Sequence, residues 1–448
     1  MDAGFYQGLT GEIVTPIDPK YSEARQEWNR AIQKFPLVIV YCSRKQDVSN
    51  AIRWARKHEI PIRIRSGGHH YEGYSTGNYV LVIDISRLNR VKIDEHNGTL
   101  TMHGGASNQQ LYNAVGKAGY PFPGGTCPTV GVAGYTLGGG WGYSTRFFGL
   151  GCDSLIELEI VDYTGKLLKA NEDENEDLFW ACRGAGGGNF GVVVSMTFSL
   201  PPKLNEVTLV EIYAPNASKE TMIDFLNTWQ NWLRGLDDRM TLVASIYQSK
   251  AEGMAIYGRG LFFGGCEEAK ELLEPFQDIE GMQFFLEDLS FNEAMDKVQA
   301  SYPPSEKFKS TGRFVYRHYN RRELEGIVDI IQKTAPGSVY AAISVYALGG
   351  KVQAFGKRET AFYYRDARYI MGIQSVWEQD QYAEKNIRWV EDRFQYIKNI
   401  TTGSYINFPY SELKDYEIAY YGQNAGRLNR INKKYDPYNV FRFPQAIR

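Results

Sequence analysis

The stretch Gly124-Gly-Thr-Cys-Pro-Thr-Val-Gly-Val-Ala-Gly-Tyr-Thr-Leu-Gly-Gly-Gly-Trp-Gly142 sets the tightest limit on how this chain can fold, because eight of its nineteen residues are glycine. Glycine loses the most backbone entropy on ordering and brings no side chain to a core, so neither a stable helix nor a packed strand is expected there. Such a run suits a place where backbone amides must approach a bulky anion, since amide nests and positive-φ turns need glycine. An earlier turn, Ile64-Arg-Ser-Gly-Gly-His-His-Tyr71, and a later cluster, Arg183-Gly-Ala-Gly-Gly-Gly-Asn-Phe-Gly191, carry the same chemistry. None of the three opens a helix after the first strand as G-x-G-x-x-G, and G-x-x-x-x-G-K-[ST] is absent, which disfavours a nicotinamide site or a P-loop. A phosphate or pyrophosphate site remains, with a thiol (Cys127) and two imidazoles (His69, His70) beside it. Amide dipoles around Cys127 are expected to lower its pKa, although an inert buried thiol fits the residue types equally well.

At 448 residues the chain exceeds what one core usually serves, so two domains or one elaborated body is expected. A net charge of −2 gives no reason to expect nucleic acid or an acidic membrane. Five scattered cysteines without CxxC spacing read as neither a disulfide framework nor a zinc site, and the remaining histidines show no ligand spacing, so no metal is expected. Met1-Asp-Ala-Gly-Phe-Tyr6 is not a basic-then-apolar leader, and no apolar run approaches the ~18 residues of a membrane span. The expected location is cytoplasmic or otherwise intracellular, with spore or surface association left open.

In chain order, residues 20–35 read as an entry helix with Trp28, Ile32 and Phe35 on one face. Strands follow at 37–41, 60–64 and 79–84, and Ser43 with Gln46 reads as the capping box of the helix between the first two. Asn97-Gly98 joins a hairpin of Val91–Asp94 and Thr99–His103, and Ser107 with Gln110 caps another helix that ends before Gly119. Strands at 156–162, 167–170 and 192–198 surround a short helix at 177–180, and Pro201-Pro202 marks a boundary. Beyond it the pattern changes to amphipathic helices (218–233, 266–274, 322–334, 382–396) and strands (340–347, 360–376). The tail from Tyr405 reads as two tyrosine-rich turns followed by Tyr435-Asp-Pro-Tyr-Asn-Val-Phe441. The fold class is α+β.

Arg65-Ser-Gly-Gly-His69, Cys127-Pro-Thr-Val-Gly131, Gly138-Gly-Gly-Trp-Gly142, Asn189-Phe-Gly191 and Tyr435–Phe441 stand in the order of the berberine bridge enzyme-like family. These are FAD-linked oxidases of the vanillyl-alcohol oxidase superfamily, and the resemblance runs from about residue 33 to the C-terminus. It implies a two-part PCMH-type FAD-binding domain (1–203, core about 33–203), a substrate domain of antiparallel sheet covered by helices (204–400), and a C-terminal segment (401–448) completing the FAD domain. It further implies FAD bound covalently through His69 and Cys127, wrapped by Arg65, Ser66, Gly67, Gly68, His70, Pro128, Thr129, Val130, Gly131, Gly134, Gly138, Gly139, Gly140, Tyr143, Val193, Asn407 and Asn424. Ala133-Gly-Tyr135 stands where Gly-Gly-His is frequent in relatives, so a histidine contribution at position 135 is missing.

The resemblance implies hydride transfer from an alcohol carbon of a carbohydrate or a phenolic or polycyclic metabolite to flavin N5. A base must take the hydroxyl proton. The family places it in the tail or the facing sheet, which points to Tyr421 first, Tyr410 second, and Tyr405 with Asn407 beside them. A tyrosine at its usual pKa of about 10 is a poor base at neutral pH and needs a cation nearby, for which Lys309, Arg317 and Arg365 are candidates. In the family a small residue at the position of Val130 goes with oxidases and a bulky one with dehydrogenases, so O2 is the expected acceptor and hydrogen peroxide the product. The alternatives are a dehydrogenase with another acceptor, or a coat protein that keeps a flavin fold without catalysis. No oligomeric state follows from the residues.

Overall fold

The computed structural model describes residues 3–204 and 206–448, so Met1 and Asp2 of the N-terminal reading lie outside the described residues. Among the described residues seventeen strands form three sheets, which follow one another along the chain.

The first sheet has the order β1-β2-β4-β3, from β1 (Glu12–Val14), β2 (Val38–Tyr41), β3 (Ile62–Arg65) and β4 (Leu81–Asp84). The helix Lys45–Lys57 crosses over it, burying Val48, Ala51, Ile52 and Ala55 at helical spacing against Val38, Val40, Leu81 and Ile83. Each such valine or isoleucine contributes about 1.5–3 kcal/mol by leaving water. The cap of this helix differs from the expected Ser43–Gln46 box. Arg44 holds the cap position, and Asp47 accepts the N–H groups of Ser43 and Arg44, the carboxylate being the stronger acceptor for those orphan donors.

The entry helix is also shorter than expected and spans only Tyr21–Ala24. Its backbone is claimed elsewhere: Trp28 N–H donates to Gly68 O at 2.9 Å and Arg30 N–H to Glu306 O at 2.8 Å. Trp28 consequently turns inward, while Phe35 is left 52% exposed.

The second sheet, order β5-β6-β9-β7-β8, contains β5 (Val91–Asp94), β6 (Thr99–His103), β7 (Leu155–Val161), β8 (Leu167–Asn171) and β9 (Val192–Ser199). Ser107 Oγ and the Gln110 amide cap the helix Asn108–Lys117 reciprocally, as the spacing predicts. The glycine-rich run does contain a helix, Val132–Leu137, against expectation. Only Gly134 falls within that turn, and the other glycines flank it, so the entropic penalty lands on the ends where Gly131 and Gly138 are the caps.

The third sheet is antiparallel throughout, in the order β13-β10-β12-β11-β15-β16-β14-β17. It comprises β10 (Val207–Ala214), β11 (Met240–Ser249), β12 (Gly253–Phe262), β13 (Gln283–Leu289), β14 (Lys307–Val315), β15 (Ser338–Ala347), β16 (Tyr369–Trp377) and β17 (Thr402–Ser404). Alternation decides its two faces. Leu242, Ala244 and Ile246 of β11, Ala341, Ile343 and Val345 of β15, and Met371 and Ile373 of β16 point into a core shared with the helices Lys219–Trp232, Arg321–Ile331 and Ala383–Ile400. The intervening residues face the other way and are far more polar. Residues 360–368, expected as strand, run irregularly because Arg365 turns in to a buried pair with Asp153 at 2.7 Å. The tail holds helices Tyr416–Tyr421 and Ala425–Tyr435 rather than turns, with Leu428 and Ile431 buried. It docks on the first half of the chain, where Asn432 Nδ2 reaches Asn189 O at 2.9 Å and Ile447 N–H reaches Asn189 Oδ1 at 3.1 Å. No helix among the described residues is long and apolar enough to cross a membrane.

Candidate functional site

The register of β3 and β4 places Arg65 opposite Asp84, at the ends of both strands. Arg65 Nε donates to Asp84 Oδ2 at 2.5 Å, and its guanidinium lies 3.7 Å from Glu27. All three residues are buried. Burial raises the Glu27 carboxyl, opposed by Arg65 and by the Ser75 hydroxyl donating at 2.6 Å. This triad fixes the start of the turn that follows, Ser66–Tyr71.

That turn runs backbone to backbone against residues 129–131. A Cβ on Gly67 would meet Gly131 N at 2.4 Å and Thr129 O at 2.5 Å, and one on Gly131 would meet Ser66 Oγ at 2.2 Å. The close approach brings His69 and Cys127 to one cavity wall. His69 Nε2 lies 2.8 Å from Thr129 Oγ1, and Cys127 Sγ lies 3.8 Å from the same oxygen. The His69 ring stacks on Trp28 with centroids 5.0 Å apart. Burial lowers its pKa to about 4, so the imidazole is neutral at neutral pH and keeps a free lone pair. Burial also raises Cys127, outweighing the N–H groups of Thr129 and Val130, so the amide-lowered thiol expected from the sequence is not found. His70 is lowered to about 3 by burial and by Lys34, and its Nδ1 accepts from Glu72 N–H at 3.2 Å.

The cavity has a volume of about 700 Å³ and runs between the two halves of the molecule. Of the residues anticipated from the sequence, Ser66, Gly67, Gly68, His69, His70, Cys127, Val130, Gly131, Gly134, Tyr143, Val193, Asn407 and Tyr421 line it. Arg65 lies beneath the turn, and Thr129 braces it from the solvent side. Pro128 stands outside the lining, its carbonyl accepting Gln109 N–H. Gly138, Gly139 and Gly140 also lie outside: Gly139 packs on Phe362 and Gly140 on Tyr135, and the Gly140 and Trp141 amides both donate to the Tyr405 hydroxyl, at 3.0 and 3.1 Å. Asn424 is turned away and donates to the carbonyls of Lys357, Thr360 and Ala361. Tyr135, in the place of the missing histidine, lines the cavity and donates to Pro123 O at 3.2 Å.

The tyrosines anticipated as base are poorly suited to it. Tyr421 gives its hydroxyl to Ala185 O at 2.9 Å, Tyr410 packs on Phe394 outside the cavity, and burial raises the pKa of both. Tyr405 is pushed up to about 12 by burial. None has the cation it needs. Lys309, 5.3 Å from the Tyr410 ring, pairs with Glu72, Arg317 with Glu323, and Arg365 with Asp153.

The later glycine cluster supplies one wall: Gly186, Gly187 and Gly188 line the cavity beside Gly134, and a Cβ at Gly134 would have no neighbour within 4 Å. Sequence reasoning missed the second. The other wall is the polar face of the third sheet: Ser245, Tyr257, Arg259, Tyr340, Ser344, Tyr346 and Gln374, with the Ser245 and Ser344 hydroxyls 2.7 Å apart. Tyr71, Tyr302, Glu306 and Phe408 complete the mouth. Bare glycine backbone on one side, with His69 and Cys127 projecting beside it, fits a flat, bulky, phosphate-bearing group such as FAD.

Comparison with known proteins agrees. A family model for an FAD binding domain matches residues 36–171, and one for berberine and berberine-like proteins matches residues 404–448. A relative from Bacillus subtilis (strain 168), described as the uncharacterized FAD-linked oxidoreductase YgaK, is 37% identical over 450 residues, covering 98% of this chain and 97% of the relative. The solved structure of Physcomitrella patens BBE-like 1 is 26% identical with a TM-score of 0.89, covering 99% of this chain and 98% of that one. A chitooligosaccharide oxidase structure is 25% identical with a TM-score of 0.88, covering 98% and 97% of the two chains.

Proposed function

The chain belongs to the berberine bridge enzyme-like FAD-linked oxidoreductases, and we propose that it is a bicovalent flavin oxidase acting on the CH–OH carbon of a carbohydrate. Bound FAD supplies a two-electron acceptor for the hydride of that carbon. His69 and Cys127 tether it: Thr129 engages His69 Nε2, which leaves Nδ1 as the nucleophilic nitrogen. Gly134 and Gly186–Gly188 give its rings and phosphates room that any side chain would fill. A covalently held cofactor need not be gripped by burial, so the cavity can stay open to a large substrate.

The observation that carries the carbohydrate reading is the sheet wall. Ser245, Ser344, Gln374 and Arg259 offer hydroxyl, amide and guanidinium groups in one plane, ringed by Tyr71, Tyr257, Tyr302, Tyr340 and Tyr346. Aromatic faces stack on sugar C–H surfaces while the polar floor receives hydroxyls, a combination wasted on a wholly apolar ring system. The named activity of the chitooligosaccharide oxidase relative is in keeping with it. The small side chain of Val130 lines the cavity beside Cys127, which favours O2 as the acceptor and hydrogen peroxide as the product.

The test is to purify the flavin-loaded protein, record its visible spectrum before and after SDS precipitation, and then mix it without oxygen with a panel of cello-, malto- and chitooligosaccharides beside benzylic and phenolic alcohols. A yellow pellet, bleaching by a sugar and peroxide on admitting air support the proposal. Bleaching by phenolic alcohols alone would move the substrate to that class. A colourless pellet would end the covalent reading.

A further inference from the structure

Resting on the oxidase reading above, we propose that Glu306 is the base that takes the hydroxyl proton from the substrate. Its backbone ties it to the flavin side of the cavity: Glu306 N–H donates to Trp28 O at 3.3 Å and Glu306 O accepts from Arg30 N–H at 2.8 Å, while Trp28 stacks on His69. Its side chain ties it to the substrate side, with Oε2 3.5 Å from Gln374 Nε2 on the sheet wall. Among the described residues lining the cavity it is the one carboxylate. It therefore stands where the tethering wall and the sugar-binding wall meet.

The surroundings leave this carboxylate without a cation. Lys307 beside it turns to Glu378 O and Asp380, the Arg30 side chain reaches Glu23, and Arg259 pairs with Glu211. Tyr302 and Tyr340, which feel the charge of Glu306, are pushed up to about 12 by burial and stay neutral at neutral pH. Burial, with no cation to oppose it, raises Glu306 itself to about 7. A general base works best with a pKa near the working pH, where it is both ionised in good part and basic.

The step balances simply. The substrate O–H bond breaks and its proton goes to a Glu306 oxygen. The C–H bond breaks with both electrons leaving as hydride to the two-electron acceptor that FAD supplies, and the C=O bond forms. The carbon is oxidised, the acceptor reduced, and the proton passes from Glu306 to water before the next turnover.

The experiment compares the wild-type holoprotein with Glu306→Gln, which keeps the side chain's size and its contact with Gln374. Infrared difference titration is expected to find a carboxyl band in the wild type with a midpoint of about 7 that is missing from the variant. With cellobiose as probe, stopped-flow flavin reduction at saturation should rise with pH through that midpoint in the wild type. In Glu306→Gln it should fall by about 10²–10⁴-fold and lose that limb, with KM and flavin content retained. A variant reduced within threefold of the wild type on the same pH profile overturns the proposal, as does the absence of a carboxyl titrating in that range. If cellobiose and the rest of the panel leave the wild-type flavin oxidised, the oxidase reading fails first, and the titration alone then decides whether Glu306 has the basicity claimed for it.

Discussion

His69 Nε2 and Thr129 Oγ1 lie 2.8 Å apart, and the same hydroxyl faces Cys127 Sγ at 3.8 Å. One exposed threonine therefore orients both side chains proposed to tether the flavin, although they come from loops on opposite sides of a helix, a hairpin and one further strand. Thr129→Val keeps the shape and removes the hydrogen bond. Attachment at His69 should slow, leaving a fraction of the protein without the full flavin mass. His69→Ala and Cys127→Ala should each retain one bond, and only the double variant should release flavin into SDS. Intact mass and gel fluorescence measure all four.

Gly67→Ala should be far more damaging than its size suggests. The added methyl would stand 2.4 and 2.5 Å from backbone atoms of Gly131 and Thr129, which cannot swing aside as a side chain can. The two loops would separate and flavin content should drop below a tenth of wild type, read from the absorbance ratio of the purified protein.

Tyr405→Phe should cost stability before it costs chemistry. Its hydroxyl accepts the buried N–H groups of Gly140 and Trp141. Each orphaned donor costs about 1–3 kcal/mol, so a loss of roughly 2 kcal/mol or more is expected in denaturant melts.

Val130→Leu tests the acceptor. A larger side chain in the cavity wall should cut peroxide formation at least tenfold while reduction of an artificial dye by the same sugar continues. Equal loss of both would show a general defect and remove the argument for O2.

His70 provides a signed pH effect. Its pKa falls from an ordinary 6.5 to about 3 in the folded chain. The unfolded chain therefore takes up a proton below about 6.5 that the folded one refuses until about pH 3, and stability is lost progressively as pH falls through that window. The melting temperature of the holoprotein should drop less between pH 7.5 and 5 in His70→Asn than in wild type.

Much of this was legible in the residues, and the failures have physical causes. The hairpin around Asn97-Gly98 and the helix capped by Ser107 and Gln110 follow local rules and formed as read. His69 and Cys127 stand out as an imidazole and a thiol set among glycines, their pairing comes only from the family resemblance, and both reach the cavity. The entry helix failed because the backbone around Trp28 pairs with Gly68 and Glu306, contacts that no local pattern announces. Gly138–Gly140, expected as cofactor backbone, instead give close packing room to Asn407, Phe362 and Tyr135 in turn. The sheet wall was missed although a signal existed. Ser245 and Ser344 stand on the phase opposite the apolar core residues of their strands, and a hydroxyl on that phase marks a face meant for something polar. Glu306 had no signal at all, since a lone glutamate among charged neighbours reads as surface until the fold closes over it.

The cavity that Ile64 and His69 open is finished by Phe441, Phe443 and Gln445, nearly four hundred residues later. Until Phe441, Phe443 and Gln445 have been made and docked, that part of the chamber wall is missing. A complete pocket is therefore expected only once all three sheets, the last of whose strands ends at Ser404, have formed and the tail has docked on them. A newly made polypeptide starved of flavin is then expected to wait as an open, colourless precursor, and the attachment proposed at His69 and Cys127 would close its maturation irreversibly.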